Sequence, residues 1–151
     1  MKIALACDHG AYLHKEAIKE ELIKRGIEVM DFGGFSCDSI DYPDTVYPAA
    51  KAVANHEADL GIVMCGTGIG ASIVANKVNG IRCALVFDEE TASITRQHND
   101  SNILAMGGRL VSIEKSVSIA LHWLSSDFSN DPRHLRRIHK ITNIEEEQRH
   151  D

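Results

Sequence analysis

Val63-Met64-Cys65-Gly66-Thr67-Gly68-Ile69-Gly70-Ala71-Ser72 runs an apolar stretch through three alternating glycines into a helix-forming segment. Asp59–Cys65 reads as a buried strand, since it is a short apolar run that stops at a glycine turn. From about Gly68 to Val78 the pattern is that of the helix that follows. A strand feeding a helix through a tight turn is the unit from which parallel sheets covered on both faces are built.

That unit recurs outward in both directions. Upstream, Lys2–Cys7 reads as a strand and Tyr12–Arg25 as a helix, with Leu13, Ala17, Ile18 and Leu22 near one face and Gly26 as its stop. Ile27–Phe32 is a second strand ending at Gly33-Gly34, and Asp44–Asn55 a second helix. Downstream, Asn79-Gly80 turns into a strand over Arg82–Phe87, followed by a helix over Glu89–His98. Ile103–Met106 is a short fifth strand, Ser112–Ser125 a helix, and Pro132 opens a last one behind the capping Asp131. The pattern predicts an α/β fold, a three-layer α/β/α doubly wound sheet of about five parallel strands, Rossmann-like, with a C-terminal helix. Without an internal repeat or a Gly/Ser linker, residues 1–151 read as one domain. The charged end from Glu145 to Asp151 reads as a solvated helix end or frayed tail.

Composition narrows the function. At 151 residues, 44% hydrophobic and 25% charged, the chain can bury a globular core. A net charge of -6 argues against a nucleic-acid surface. No stretch approaches the roughly 20 apolar residues of a membrane span. Cys7, Cys37, Cys65 and Cys83 show no metal spacing, and their placement fits free thiols in a reducing, cytoplasmic setting. The opening Met1–Cys7 reads as a strand, too short for the apolar core of a leader.

In such folds ligands bind beyond the carboxyl ends of the strands. Those ends carry Asp8-His9, Phe32-Gly33, Cys65-Gly66-Thr67-Gly68, Asp88 and Gly107-Gly108-Arg109. Three chemistries compete for the Cys65 turn. Gly66-x-Gly68-x-x-Ala71 with Asp88 about 20 residues on fits a dinucleotide fingerprint, but it follows the third strand where that motif belongs on the first. A phosphatase nucleophile would need an arginine where Ala71 stands. A base fits better: the positive end of the following helix favours a thiolate, and the glycine N–H groups face an oxyanion formed by proton abstraction beside a carbonyl. A buried, unreactive strand-end cysteine is the plain alternative.

Two further groups carry chemistry. His98, in Arg96-Gln97-His98-Asn99-Asp100, stands at a helix end, where a histidine is usually a solvated cap residue. Arg133 and Arg137 lie four apart at the start of the last helix, which suits a phosphate or a solvated basic face.

Together these residues resemble the type B ribose-5-phosphate isomerases, which share a fold with the galactose- and allose-6-phosphate isomerases. The resemblance runs from Ala6-Cys7-Asp8-His9-Gly10 to Ile141-Thr142-Asn143-Ile144-Glu145. It rests on Asp8-His9, Asp41-Tyr42-Pro43, Cys65–Gly70, Ala75-Asn76-Lys77, Arg96–Asp100 and Arg133-His134-x-x-Arg137. It implies interconversion of ribose 5-phosphate and ribulose 5-phosphate through a cis-enediolate. By resemblance Cys65 is the base, His98 the acid that opens the furanose ring, and Thr67 with the backbone of Gly66, Gly68, Ile69 and Gly70 the enediolate cradle. Asp8, His9, Tyr42, Asn99, Arg109, Arg133 and Arg137 would bind the sugar phosphate. Members with a glutamate base carry it where this chain has Ala71. A homodimer or dimer of dimers with shared active sites is implied, and no metal or organic cofactor.

The chain departs from the family at Asp131-Pro132, where Gly-Gly is frequent, which bears on the placement of Arg133. Two other readings stay open: a 6-phosphohexose isomerase of the same fold, and a non-catalytic dinucleotide-binding module built on Gly66–Ala71 and Asp88.

Overall fold

The computed structural model describes residues 1–150. Five parallel strands form one sheet in the order β2-β1-β3-β5-β4: β1 (Lys2–Cys7), β2 (Glu28–Asp31), β3 (Leu60–Cys65), β4 (Cys83–Leu85) and β5 (Ile103–Gly107). The helices are α1 (Tyr12–Lys24), α2 (Tyr42–Ala54), α3 (Ile69–Asn76), α4 (Glu89–Asn99), α5 (Ile113–Leu124) and α6 (Pro132–Arg149). The three-layer α/β/α architecture expected from the alternation is therefore present, with α6 as the C-terminal helix.

Alternation along each strand divides the core. Ile3, Leu5, Ile62, Met64, Leu104 and Met106 face α1 and α5, where they meet Ile18, Leu22, Ile119 and the buried Trp123. Ala4, Ala6, Val63 and Ala105 face α2 and α3, where Val46, Ala49, Val53 and Ala75 close the second layer. Small side chains on that second face let α3 approach the sheet closely. Truncating a large core residue such as Leu5 or Ile62 to Ala would cost about 2–5 kcal/mol.

Element ends shift by a residue or two from the sequence reading, and in two places a local reason is plain. Helix α2 starts at Tyr42 rather than Asp44, because Pro43 sits in the first turn, where its missing N–H is no loss. Strand β4 keeps only Cys83–Leu85 of the expected Arg82–Phe87, since it is an edge strand with one neighbour. Helix α6 runs on to Arg149, so of the two readings of the charged segment, solvated helix end or frayed tail, the described residues show the helix end; Asp151 lies outside them. Its cap is as expected, Asp131 Oδ1 accepting the Arg133 N–H at 2.8 Å.

The order of strands positions the site. The chain steps from β1 outward to β2, then returns to place β3 on the other side of β1. The connections after β1 and β3 thus leave in opposite directions and open a crevice between their carboxyl ends.

Candidate active site

The crevice is built from backbone packed on backbone. A Cβ on Gly10 would stand 3.0 Å from Gly66 Cα, and one on Gly107 would meet the Thr67 main chain. The β5 turn hydrogen-bonds onto the β3 turn, Gly108 N–H to Cys65 O and Arg109 N–H to Gly66 O, both at 2.9 Å. Gly68, with φ +79°, makes the left-handed step that starts α3, and a side chain there would strike Leu85 and Met106. Gly10, Gly107 and Gly108 had no assigned part in the sequence reading, yet they let the three turns close on one another.

At the floor sits Cys65, buried, its Sγ accepting the Gly68 N–H at 3.2 Å. The first turn of α3 thus aims a backbone donor at the sulfur. The N–H groups of Gly66, Thr67 and Gly70 are not spent on other parts of the chain among the described residues. They remain available to an oxyanion. The cleft above has a volume of about 420 Å³ and is lined by Asp8, Tyr42, Cys65, Thr67, Ile69 and Arg109, with Gly66, Gly70 and Ile73. The Arg109 guanidinium lies over Gly66, 3.3 Å from where a Cβ would be.

Asp8 and Tyr42 also line an adjoining hollow of about 490 Å³ that contains His9 and Asp41. Asp8 is buried, and its Oδ1 accepts the Gly10 N–H at 2.8 Å. The Ile40 N–H donates to His9 Nδ1 at 3.2 Å, so a neutral His9 carries its proton on Nε2, free to donate.

Beneath this wall lies a group the sequence reading missed. Lys15, 1% exposed, donates to both Asp31 carboxylate oxygens at 2.8 Å and to Gly34 O at 2.7 Å. Burial pushes the Asp31 carboxyl up, but hydrogen bonds from Lys15, Gly33 and Lys19 outweigh it and hold the group below the usual carboxylate range. Gly33 and Gly34 in turn exchange hydrogen bonds with Cys7, which precedes Asp8. Lysine on a surface-patterned helix carries no sign of such a role; only the fold brings Asp31 to it.

The other four expected site residues are elsewhere. Asn99 accepts the Arg82 Nε–H through its carbonyl at 3.0 Å, and Asn102 N–H bonds Arg82 O, so His98 and Asn99 stand at the amino ends of β4 and β5. Cys65 pairs with Gly107 at the carboxyl end. The length of β5 separates the two ends by about 13 Å at the usual rise per residue. Arg133 and Arg137, both exposed, belong to the His98 end, because α6 packs against α4 and His134 stacks on His98 with ring centroids 4.2 Å apart. One chain therefore assembles Asp8, His9, Tyr42, Cys65, Gly66, Thr67, Gly68, Ile69, Gly70 and Arg109, and separately His98, Asn99, Arg133 and Arg137.

Other motif residues are structural. Asn76 bonds both the N–H and the carbonyl of Cys83 and so extends the edge of β4. Arg96 donates to Ser101 O, pairs with Asp100 and lies over Trp123. Asp88 caps α4 by accepting the Thr91 N–H at 2.8 Å. With β5 between β3 and β4, Asp88 is not on the strand beside the glycine turn, as a ribose-binding acid would be. Burial pushes the Cys7 thiol up to about 11 and the Cys83 thiol up to about 12, leaving both unreactive at neutral pH. Among the described residues, no helix is long and apolar enough to cross a membrane.

Fold and cleft define an α/β protein whose switch-point crevice presents a thiol, a carboxylate, an imidazole and a guanidinium to a small polar ligand. The Ribose/Galactose Isomerase family model matches residues 3–141, and the chain belongs to that family. It is 43% identical over 145 residues to ribose-5-phosphate isomerase B of Escherichia coli, covering 96% of this chain and 97% of that one. Among solved structures, Clostridium thermocellum ribose-5-phosphate isomerase B superposes with a TM-score of 0.95 at 47% identity, covering 98% of this chain and 99% of that one. The Mycoplasma genitalium ribose-5-phosphate isomerase B, solved with bound ribulose-5-phosphate, gives 0.92 at 39% identity and 97% coverage of both chains.

Proposed function

We propose that this protein interconverts ribose 5-phosphate and ribulose 5-phosphate by proton transfer through a cis-enediolate. The observation that carries this reading is the Cys65 sulfur, held by the Gly68 N–H inside a cleft rimmed by unspent glycine-turn donors. Cys65 takes the proton from C2 of the open-chain aldose and returns it to C1, while the O2 hydroxyl proton passes to O1. The backbone N–H groups of Gly66, Thr67 and Gly70 hold the negative charge on the enediolate oxygen between the two steps. Asp8, Tyr42 and His9 Nε2 hold sugar hydroxyls or phosphate, and Arg109 supplies a cation to the phosphate.

His98 serves as the acid that opens the furanose ring, with Asn99 beside the sugar and Arg133 and Arg137 on the phosphate. Since those four stand at the far end of the same chain, a second copy must bring them to Cys65. A homodimer with two equivalent composite sites satisfies this, because a twofold axis exchanges the two ends reciprocally. In this reading residues 1–151 form one sugar-phosphate isomerase domain, acting in the cytoplasm.

The deciding experiment follows ketose formation from ribose 5-phosphate by the wild type and by Cys65→Ala, without added NAD or metal. Turnover lost in the mutant supports the reaction and the base together. Turnover that survives in Cys65→Ala removes the thiol from its role. A folded wild type that turns over allose or galactose 6-phosphate, but not ribose 5-phosphate, moves the substrate to the six-carbon sugars.

A further inference from the structure

His134 has no part in the chemistry above, yet it is one of only two buried residues on α6, the other being Ile138. Its ring lies against that of His98 with centroids 4.2 Å apart and planes 20° from parallel. His98 itself is exposed, on the last turn of α4, and neither imidazole is held by a hydrogen bond among the described residues. The stack is therefore what orients His98. Helix α6 supplies the seat: Asp131 caps its start, and Ile138 anchors it one turn beyond His134.

Charge divides the pair into two roles. Burial lowers the pKa of His134, and His98, Arg133 and Arg137 lower it further against the opposing pull of Asp131. Two imidazolium rings at this separation would repel, so the neutral form of His134 is the one favoured beside His98. His134 then offers a flat face to His98, an arrangement that attracts a cationic ring.

We infer that His134 is a positioning residue, whose ring face holds His98 in the orientation needed to protonate the furanose ring oxygen. The inference rests on the reading of His98 as the ring-opening acid. In that step the C1–O4 bond breaks with its electron pair going to O4, which takes the proton from His98. The O1 hydroxyl proton leaves to solvent as C1 becomes a carbonyl, and solvent reprotonates His98.

Ribulose 5-phosphate separates ring opening from enolisation, because its C5 oxygen carries the phosphate and no furanose can close. Uptake of solvent deuterium at its C1 therefore needs Cys65 but no ring opening. His134→Ala, His134→Phe, His98→Ala and Cys65→Ala would be compared for ketose formation from ribose 5-phosphate and for deuterium uptake by ribulose 5-phosphate, read by NMR. His134→Ala is expected to lose about tenfold or more in kcat on ribose 5-phosphate while its deuterium uptake stays within about twofold. His134→Phe, which keeps a flat ring, should recover most of the loss.

Equal losses in both assays for His134→Ala, or no recovery in His134→Phe, would overturn the inference. So would undiminished ribose 5-phosphate turnover in His134→Ala beside an impaired His98→Ala. If His98→Ala is itself unimpaired, the reading of His98 falls and takes the inference with it. Deuterium uptake that persists in Cys65→Ala would instead indict the base alone.

Discussion

The Tyr42 hydroxyl lies 2.6 Å from where a Cβ of residue 70 would stand, so ring and glycine occupy one another's only space. Tyr42 opens α2, and Gly70 lies in the first turn of α3. Their contact joins the aromatic wall of the cleft to the turn that carries Cys65. Gly70→Ala should displace the ring while costing only about 1–3 kcal/mol in stability, as a small overpacking does. With the wall moved, kcat/KM for ribose 5-phosphate should fall about tenfold or more at an almost unchanged fold. Steady-state kinetics beside a thermal melt would check it, and unchanged kinetics would show that Tyr42 does not touch the sugar.

Mixing two inactive variants tests the composite site. Cys65→Ala spoils one end of each chain and His98→Ala the other. After denaturation and refolding together, half the dimers are mixed and each of those has one intact site, so activity should return to roughly a quarter of wild type. Mixtures no more active than their components would argue against sharing of residues between copies.

The four thiols should divide into two classes. Iodoacetamide at pH 7.5 should modify the exposed Cys37 and the cleft-lining Cys65, with ribose 5-phosphate protecting Cys65 alone. Cys7 and Cys83, pushed up to about 11 and about 12 by burial, should stay unmodified until the protein unfolds. Peptide mass mapping reads all four sites at once.

Lys15 and Asp31 should be the ion pair whose rupture the fold tolerates least. Their side chains are 2% and 9% exposed, and Lys15→Met leaves the carboxylate without its nearest cation. Removing one partner of a buried pair costs about 3–5 kcal/mol, and adding Asp31→Asn should return part of that. Urea unfolding of both variants measures it; equal stabilities for the single and double variants would deny the coupling.

Acid should destabilise the protein in two steps. His134 titrates below its ordinary value in the native state, so the unfolded chain binds the proton more readily. Its contribution is present above about pH 6.5 and is withdrawn as the pH falls through that value. Asp31 is likewise held low, and its contribution is lost only as the pH falls below the ordinary carboxylate value of about 3.8. Melting temperatures of His134→Phe should therefore fall less than those of wild type between pH 7 and 5.

Much of this molecule is written in short stretches of its sequence. The short apolar run of Lys2–Cys7, and the glycines behind Cys65, depend on neighbours a few positions apart. Five strands, their helices and the strand-end residues were legible for that reason, as was the Asp131 cap. Boundaries slipped where a proline sat in a first turn, at Pro43, and where an edge strand lacked a second neighbour, at β4. Tertiary structure alone decided the rest. The placing of β5 between β3 and β4 took Asp88 away from the glycine turn, and no local pattern carries strand order. The Lys15–Asp31 pair, the Tyr42–Gly70 contact and the His98–His134 stack each join residues 16 or more positions apart, through packing that only the closed core imposes. The same packing sent Cys65 and His98 to opposite ends of β5, because a helix that follows a parallel strand must run back along the sheet.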